Sequence, residues 1–174
     1  MKVYISGYGR MGKMVEGVLA SRNIECAGKS EDIQSADTAV TKDCICIDFT
    51  VPDALFDYFQ KCGTTLIWAS NFSIGVNVFT AAVDIASRLL GKAGGYAPYI
   101  VEKHHCHKLD APSGTAKTLA ACIDRNMSSK TDIASVRVGE LAGIHTVGFE
   151  GSCDRITLEH EAFSRQGFAE GAVM

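Results

Sequence analysis

At 174 residues, with 21% charged side chains and a formal net charge of −3, the chain falls in the ordinary range of folded proteins and can bury a sizeable core. The weak net charge and the absence of any long block of like charges argue against nucleic-acid binding and membrane steering, so an anionic ligand would have to be captured locally. The seven cysteines form an odd set with no C-x-x-C pair, and several lie in apolar runs, which predicts reduced thiols in a cytoplasmic protein.

Residues 2–6 read as a strand that stops at Gly7-Tyr8-Gly9-Arg10-Met11-Gly12, and residues 13–21 have the apolar spacing of a helix. Residues 24–28 suggest a second strand, and 44–49 a third, continuously apolar as a strand covered on both faces should be. A helix is expected from Thr50 through about residue 62, with Pro52 in its first turn, followed by a strand at 64–69. Strands alternating with helices predict a parallel sheet with right-handed crossovers. A long helix should run from Val76 to about Leu90 and end in the glycines at 91–95, with the lobe boundary nearby.

Beyond it, residues 99–105 have strand character, Ser113 opens a helix to about Arg125, and the remainder reads as strands joined by turns. Alternating polarity at 134–139, 145–149 and 154–161 predicts an antiparallel or mixed sheet with one wet face. No apolar stretch approaches the roughly 20 residues of a membrane span, so no membrane association is expected.

The first turn matches G-x-G-x-x-G between a strand and a helix, where glycines let backbone N–H groups approach a pyrophosphate at the helix's positive end. A purely structural glycine turn is the alternative. After the second strand comes Lys29 rather than a carboxylate; a lysine there could meet a 2′-phosphate and tilts the expectation weakly toward NADPH over NADH, unless it is a solvated loop residue.

The stretch from Glu102 to Ala116 brings together His104, His105, His107 and Lys108 just before a helix start. Along an ideal strand His104 and His105 diverge, so only one can enter a given pocket. His-His-Cys-His invites a zinc reading, yet no second ligand pair follows at finger-like spacing, and no metal is assigned. General acid–base chemistry by an imidazole beside Lys108 is the simpler account; a surface cluster without function is the remaining one. Ser113 is a candidate helix cap, and Gly114 and Thr115 could offer main-chain amides to a carboxylate or phosphate.

The run E-x-H-H-x-x-K-x-D-A-P-S-G-T-A, filled here from Glu102 to Ala116, resembles the signature of the 4-hydroxy-tetrahydrodipicolinate (dihydrodipicolinate) reductases. Further matches stand at 9–12 (Gly-Arg-Met-Gly), 47–50 (Ile-Asp-Phe-Thr), 71–77 (Asn-Phe-Ser-Ile-Gly-Val-Asn), 137–146 (Arg-x-Gly-Glu-x-x-Gly-x-His-Thr) and 168–173 (Phe-Ala-x-Gly-Ala-Val). The resemblance implies an α/β protein with a shortened Rossmann-like dinucleotide-binding lobe at 1–75 and a mixed α/β substrate and oligomerisation lobe at 76–174 whose sheet assembles a homotetramer. It implies NAD(P)H-dependent reduction of a cyclic imine dicarboxylate in diaminopimelate and lysine biosynthesis.

By the same resemblance, His104 is the proton donor and acceptor, Lys108 the second donor, and His105 a substrate contact. Ser113, Gly114 and Thr115 hold a substrate carboxylate. Gly7, Tyr8, Gly9, Arg10, Met11 and Gly12, with Lys29, Phe49, Thr50, Ser70, Asn71 and Phe72, line the cofactor.

The chain departs from the family by its shortness between Gly28 and Cys44, by a collapsed Gly-Thr-Thr-Gly loop at 63–66 with Leu66 in place of the last glycine, and by stopping before the family's usual closing segment. Those departures keep two rivals open. One is a degenerate dicarboxylate- or nucleotide-binding protein without turnover; the other is a related reductase such as an aspartate dehydrogenase.

Overall fold

The computed structural model describes residues 1–36, 41, 43–50, 69 and 71–174. The chain forms two compact units, Met1–Ala69 with Phe168–Met174, and Ser70–Gly167. The boundary therefore falls a few residues before the expected one at 75/76, and the C-terminal segment groups with the first unit rather than the second.

In the first unit, β1 (Lys2–Ser6), α1 (Arg10–Ser21), β2 (Glu25–Ser30) and β3 (Ile45–Asp48) build a parallel sheet of order β2-β1-β3. Central β1 is buried from Val3 to Ser6, as a strand flanked on both edges must be. Helix α1 turns Val15, Val18 and Leu19 onto Val3 and Ile5, a spacing of three and four residues that makes one apolar stripe. The strand, turn and helix expected at the start are all present. The helix at 50–62 and the strand at 64–69 lie, apart from Thr50 and Ala69, outside the described residues.

A short helix near the C-terminus is an addition to the elements expected. Residues Gln166–Ala172 carry two glycines and a weak intrinsic helix propensity, which is why they read as turn. Packing supplies what propensity does not: Ala169 is fully buried in the β1–α1 core and Val173 lies against it. The last residues, Phe168–Met174, thus pack with the first unit.

In the second unit, α2 (Ile74–Ala93) and α3 (Gly114–Asp124) pack on one face of a four-stranded sheet. The sheet has order β5-β4-β6-β7, from β4 (Ala97–His104), β5 (Asp132–Arg137), β6 (Ile144–Glu150) and β7 (Arg155–Glu161). β4 pairs parallel with β5 and antiparallel with β6, which pairs antiparallel with β7, so the mixed sheet is as the alternation predicts. Ile100, Val147 and Phe149 on the sheet meet Phe79, Val83, Leu119 and Ile123 on the helices. The short C-terminal helix, Gln166–Ala172, is α4.

Helix α2 departs from expectation twice. It continues through Gly91 and stops at Gly94, whose φ is +73. A side chain at 91 would come within 2.1 Å of the Asn126 carbonyl oxygen, so this glycine serves close packing rather than helix termination. At 20 residues α2 is also long and apolar enough, by length and composition alone, to cross a membrane, contrary to the sequence expectation. Its buried Phe79 and Val83 lie against the sheet core as in an amphipathic core helix.

Candidate active site

The glycines of the first turn have different jobs. Gly7 sits at φ +80, and a Cβ there would lie 2.9 Å from the Phe49 carbonyl carbon. Its N–H and that of Tyr8 both donate to the Ser30 oxygen (3.0 and 3.1 Å), tying the turn to the end of β2. A Cβ on Gly12 would lie 2.7 Å from the Gly7 oxygen, so α1 rests directly on the turn. A Cβ on Gly9 would meet nothing within 4 Å among the described residues. That is the arrangement a dinucleotide needs: one glycine for the turn, one for helix packing, and one leaving the main chain open to a pyrophosphate at the helix N-terminus.

Around this turn, Phe49 N donates to the Ser6 oxygen (3.0 Å), and the Asp48 carboxylate accepts from the Thr50 N–H (2.8 Å) and hydroxyl (2.7 Å) and from the Ser6 hydroxyl. Phe49 and Thr50 are thereby held beside Gly7. Arg10 is exposed at the first turn, whereas Met11 packs toward the core and would contribute through its backbone. Lys29 is not a free cation: its ammonium donates to Glu16 (2.8 Å) and to the Tyr8 hydroxyl (3.1 Å), and Tyr8 in turn hydrogen-bonds Glu16. The Glu16 and Tyr8 hydrogen bonds hold the Lys29 pKa up. Ser70 lies outside the described residues; Asn71 and Phe72 belong to the second unit.

In that unit, strand register assembles the acid–base cluster. Along β4, Glu102 and His104 share a face because they are two residues apart. Glu102 stands opposite His145 on β6 and Ser135 on β5, and His104 stands opposite Arg137. Glu102 is fully buried; its carboxylate accepts from Arg137 Nη2 (2.7 Å) and more weakly from Ser113 N (3.4 Å), and hydrogen-bonds His104 Nδ1.

Burial pulls the Glu102 pKa upward, but hydrogen bonds from Arg137 and Ser135 and the nearby positive charge outweigh it, leaving about 2. The carboxylate is therefore ionised and fixes Nδ1 of His104 as the donor, leaving Nε2 as the nitrogen that Glu102 does not engage. Burial lowers the His104 pKa; Glu102 opposes this, and the Lys108 charge adds to it. His145, pushed down to about 4 by burial and then by His104, is neutral and reaches Ser113 Oγ (3.2 Å).

Lys108 and His104 are thus electrostatic neighbours, although the Lys108 ammonium is paired with Asp110 (2.6 Å). His105 leaves the strand and diverges from His104, as the alternation predicts. Its Nε2 meets Arg165 Nη2 (3.1 Å), its Nδ1 has no hydrogen-bond partner among the described residues, and burial followed by the Arg165 charge lowers its pKa. Ser113 caps α3 by accepting from Ala116 N (3.2 Å). Its buried hydroxyl is used twice inside the protein and is a support, not an obvious ligand contact. Gly114 and Thr115 begin the helix, where N–H groups lack intrahelical partners. Thr115 Oγ1 accepts from Asn71 Nδ2 (3.2 Å), so a residue expected at the cofactor is tied instead to the start of α3.

A family model described as dihydrodipicolinate reductase, C-terminus, matches residues 75–174. The chain belongs to the dihydrodipicolinate reductase family. It is 35% identical to the 4-hydroxy-tetrahydrodipicolinate reductase of Christiangramia forsetii (strain DSM 17595 / CGMCC 1.15422 / KT0803), an alignment covering 100% of this chain and 90% of that protein. The alignment runs over 218 positions against 174 residues here, so that relative carries segments this chain lacks.

The same-named protein of Xanthomonas campestris pv. campestris (strain B100) is 45% identical over 108 residues, 62% of this chain and 44% of its own length. Among solved structures, the fold matches a dipicolinate-bound dihydrodipicolinate reductase from Paenisporosarcina sp. TG-14 with a TM-score of 0.77 at 22% identity, covering 99% of this chain and 92% of that one.

Sequence reasoning assigns no role to four members of the cluster: Glu102, Arg137, His145 and Arg165. Period-two spacing from His104 could have found Glu102. Arg137 and His145 lie in the quoted 137–146 motif, but only strand register shows that they face Glu102 and His104. Arg165 has no local signal.

Proposed function

We propose that this protein reduces 4-hydroxy-tetrahydrodipicolinate to tetrahydrodipicolinate at the expense of NAD(P)H, in diaminopimelate and lysine biosynthesis. The observation that carries the reading is the buried Arg137–Glu102–His104 relay, which orients one imidazole at the head of an anion-accepting helix start. The bound nicotinamide cofactor supplies hydride. The protein's own groups do the rest.

The Gly114 and Thr115 amides, with the positive end of α3, would hold one carboxylate of the substrate. Arg165, whose guanidinium meets His105 Nε2, adds positive charge beside that substrate contact. His104 Nε2 would deliver the proton to the substrate atom that becomes electron-rich as hydride arrives, and Lys108 would serve as the second donor once a substrate carboxylate competes with Asp110 for it. An anionic substrate also raises the His104 pKa against burial, so binding itself charges the imidazole.

Lys29 supports a slight preference for NADPH, limited because a 2′-phosphate must displace Glu16. The uncovered face of the sheet carries Val101, Ala134 and Val136 and suits the assembly of a homotetramer. A reduced cytoplasmic setting accords with thiols at Cys26, Cys46, Cys106, Cys122 and Cys153.

The test is oxidation of NADPH or NADH by the full chain on adding freshly generated product of the preceding synthase. Turnover is expected, reduced roughly 10²- to 10⁴-fold in His104→Ala or Lys108→Ala without change of fold. Cofactor binding without turnover would favour a binding protein, and near-native rates in both variants would reject the assigned roles.

A further inference from the structure

Next to the proton-handling cluster lies a second set of donors that the proposed chemistry does not use. Cys106, His107 and Glu140 come from two loops, one following β4 and the other following β5. Their ligand atoms, one thiol sulfur, one imidazole nitrogen and one carboxylate oxygen, lie within 4.8 Å of one another. His107 Nε2 already stands 3.5 Å from Glu140 Oε1.

The backbones that carry these donors are clipped together. His105 N donates to the Leu141 oxygen (2.9 Å) and Cys106 N to the Gly139 oxygen (3.1 Å), while Val138 N donates to the His104 oxygen (2.9 Å). Those bonds extend the β4–β5 alignment past the strand ends. Gly139, at φ +57, lets the second loop turn back on the first. Lys108 N closes the first loop on the His105 oxygen (3.1 Å). The side chains are exposed, but their Cα positions are fixed, so a metal has only side-chain rotamers to order.

We propose that Cys106, His107 and Glu140 bind a thiophilic divalent cation, of which Zn²⁺ is the best chemical match. A soft thiolate, an imidazole and a carboxylate select a borderline metal over Mg²⁺ or Ca²⁺, which take oxygen donors. Three protein ligands leave the fourth tetrahedral position to water. Donors already within 4.8 Å of one another need to close only modestly to share one ion at bond lengths of about 2.0–2.3 Å.

The sequence assigned no metal because it offered no second ligand pair in line with His-His-Cys-His; the fold supplies the missing donor from Glu140, more than thirty residues on. The other nearby trio, Glu102, His104 and His145, is a poorer host, since Glu102 is already engaged by Arg137 and His104, and His145 by Ser113. That trio contains no sulfur, which makes the two sites distinguishable.

Titration of the full reduced chain with Co²⁺ provides the test, because a cysteine ligand gives a near-ultraviolet thiolate-to-cobalt charge-transfer band and an all-nitrogen-and-oxygen site does not. One equivalent should develop the band, and Zn²⁺ should bleach it by displacement. Cys106→Ser should abolish it, whereas Cys153→Ser, at the other exposed thiol among the described residues, should leave it intact. His107→Ala and Glu140→Gln should each weaken Co²⁺ binding at least as much as the roughly 10- to 100-fold that loss of an outer-shell partner costs. No band, a band that survives Cys106→Ser, or affinity unchanged in both His107→Ala and Glu140→Gln would overturn the assignment; circular dichroism of each variant excludes a folding artefact.

Discussion

The glycine turn of the first unit and the strand-end cluster of the second solve opposite problems. The turn works by removing side chains: Gly7 and Gly12 let main chain approach main chain, and Gly9 leaves the helix amides uncovered. The cluster works by burying charge and satisfying it, with Arg137, Ser113 and His104 all addressed to one carboxylate at Glu102. Buried charge of this kind is costly to disrupt, while an open glycine can be altered with little effect on the fold. Substitutions in the two regions should therefore separate stability from binding in opposite ways.

The largest effect is expected at Glu102. Glu102→Ala leaves Arg137 without its buried partner and should destabilise the second unit by about 3–5 kcal/mol, read from denaturant unfolding. The same residue gives an acid limb. Its folded pKa of about 2 lies below the ordinary 4.5, so its contribution is fully present above pH 4.5 and disappears as the pH falls toward 2. Roughly 3 kcal/mol should be lost across that window, and Glu102→Gln should flatten this part of the pH profile. An unchanged acid profile in the variant would mean that the carboxylate is not held as described.

The turn should behave otherwise. Gly12→Ala forces a Cβ against the Gly7 oxygen and should lower thermal stability, whereas Gly9→Ala, with open space around it among the described residues, should leave the melting temperature unchanged. Cofactor affinity should fall in Gly9→Ala because the added methyl stands where a pyrophosphate would approach. Equal affinity in native and Gly9→Ala protein would remove the turn from the cofactor site.

Glu16→Gln is the mildest change. Freeing the Lys29 ammonium from a competing carboxylate should raise NADPH affinity relative to NADH a few-fold, about the scale of a single exposed ion pair. A shift toward NADH would contradict the role given to Lys29.

The contrast also explains what could be read from the chain. The β1–turn–α1 unit was legible because glycine spacing and apolar periodicity are local properties, and the same holds for the Ser113 cap of α3. The extension of α2 through Gly91 was hidden because the need for that glycine comes from Asn126. Helix α4 was hidden because Ala169 gains its helicity from a core formed by the first strand and helix. In the site, His104 and Lys108 were visible from residue chemistry and the family signature. Glu102's role was not, since a carboxylate two residues before a histidine gains meaning only when the strand ends buried and Arg137, in register with His104, reaches back to it.

The central claim is that Glu102 acts through His104, and turnover in a double-mutant cycle tests it most directly. His104→Ala, Glu102→Gln and the pair would be compared in cofactor oxidation, with Glu102→Gln chosen because it keeps the side-chain shape and an acceptor for Arg137. The pair should be no slower than His104→Ala alone, because an orienting group has nothing left to orient. Losses that multiply in the double variant would show two independent contributions and contradict the relay.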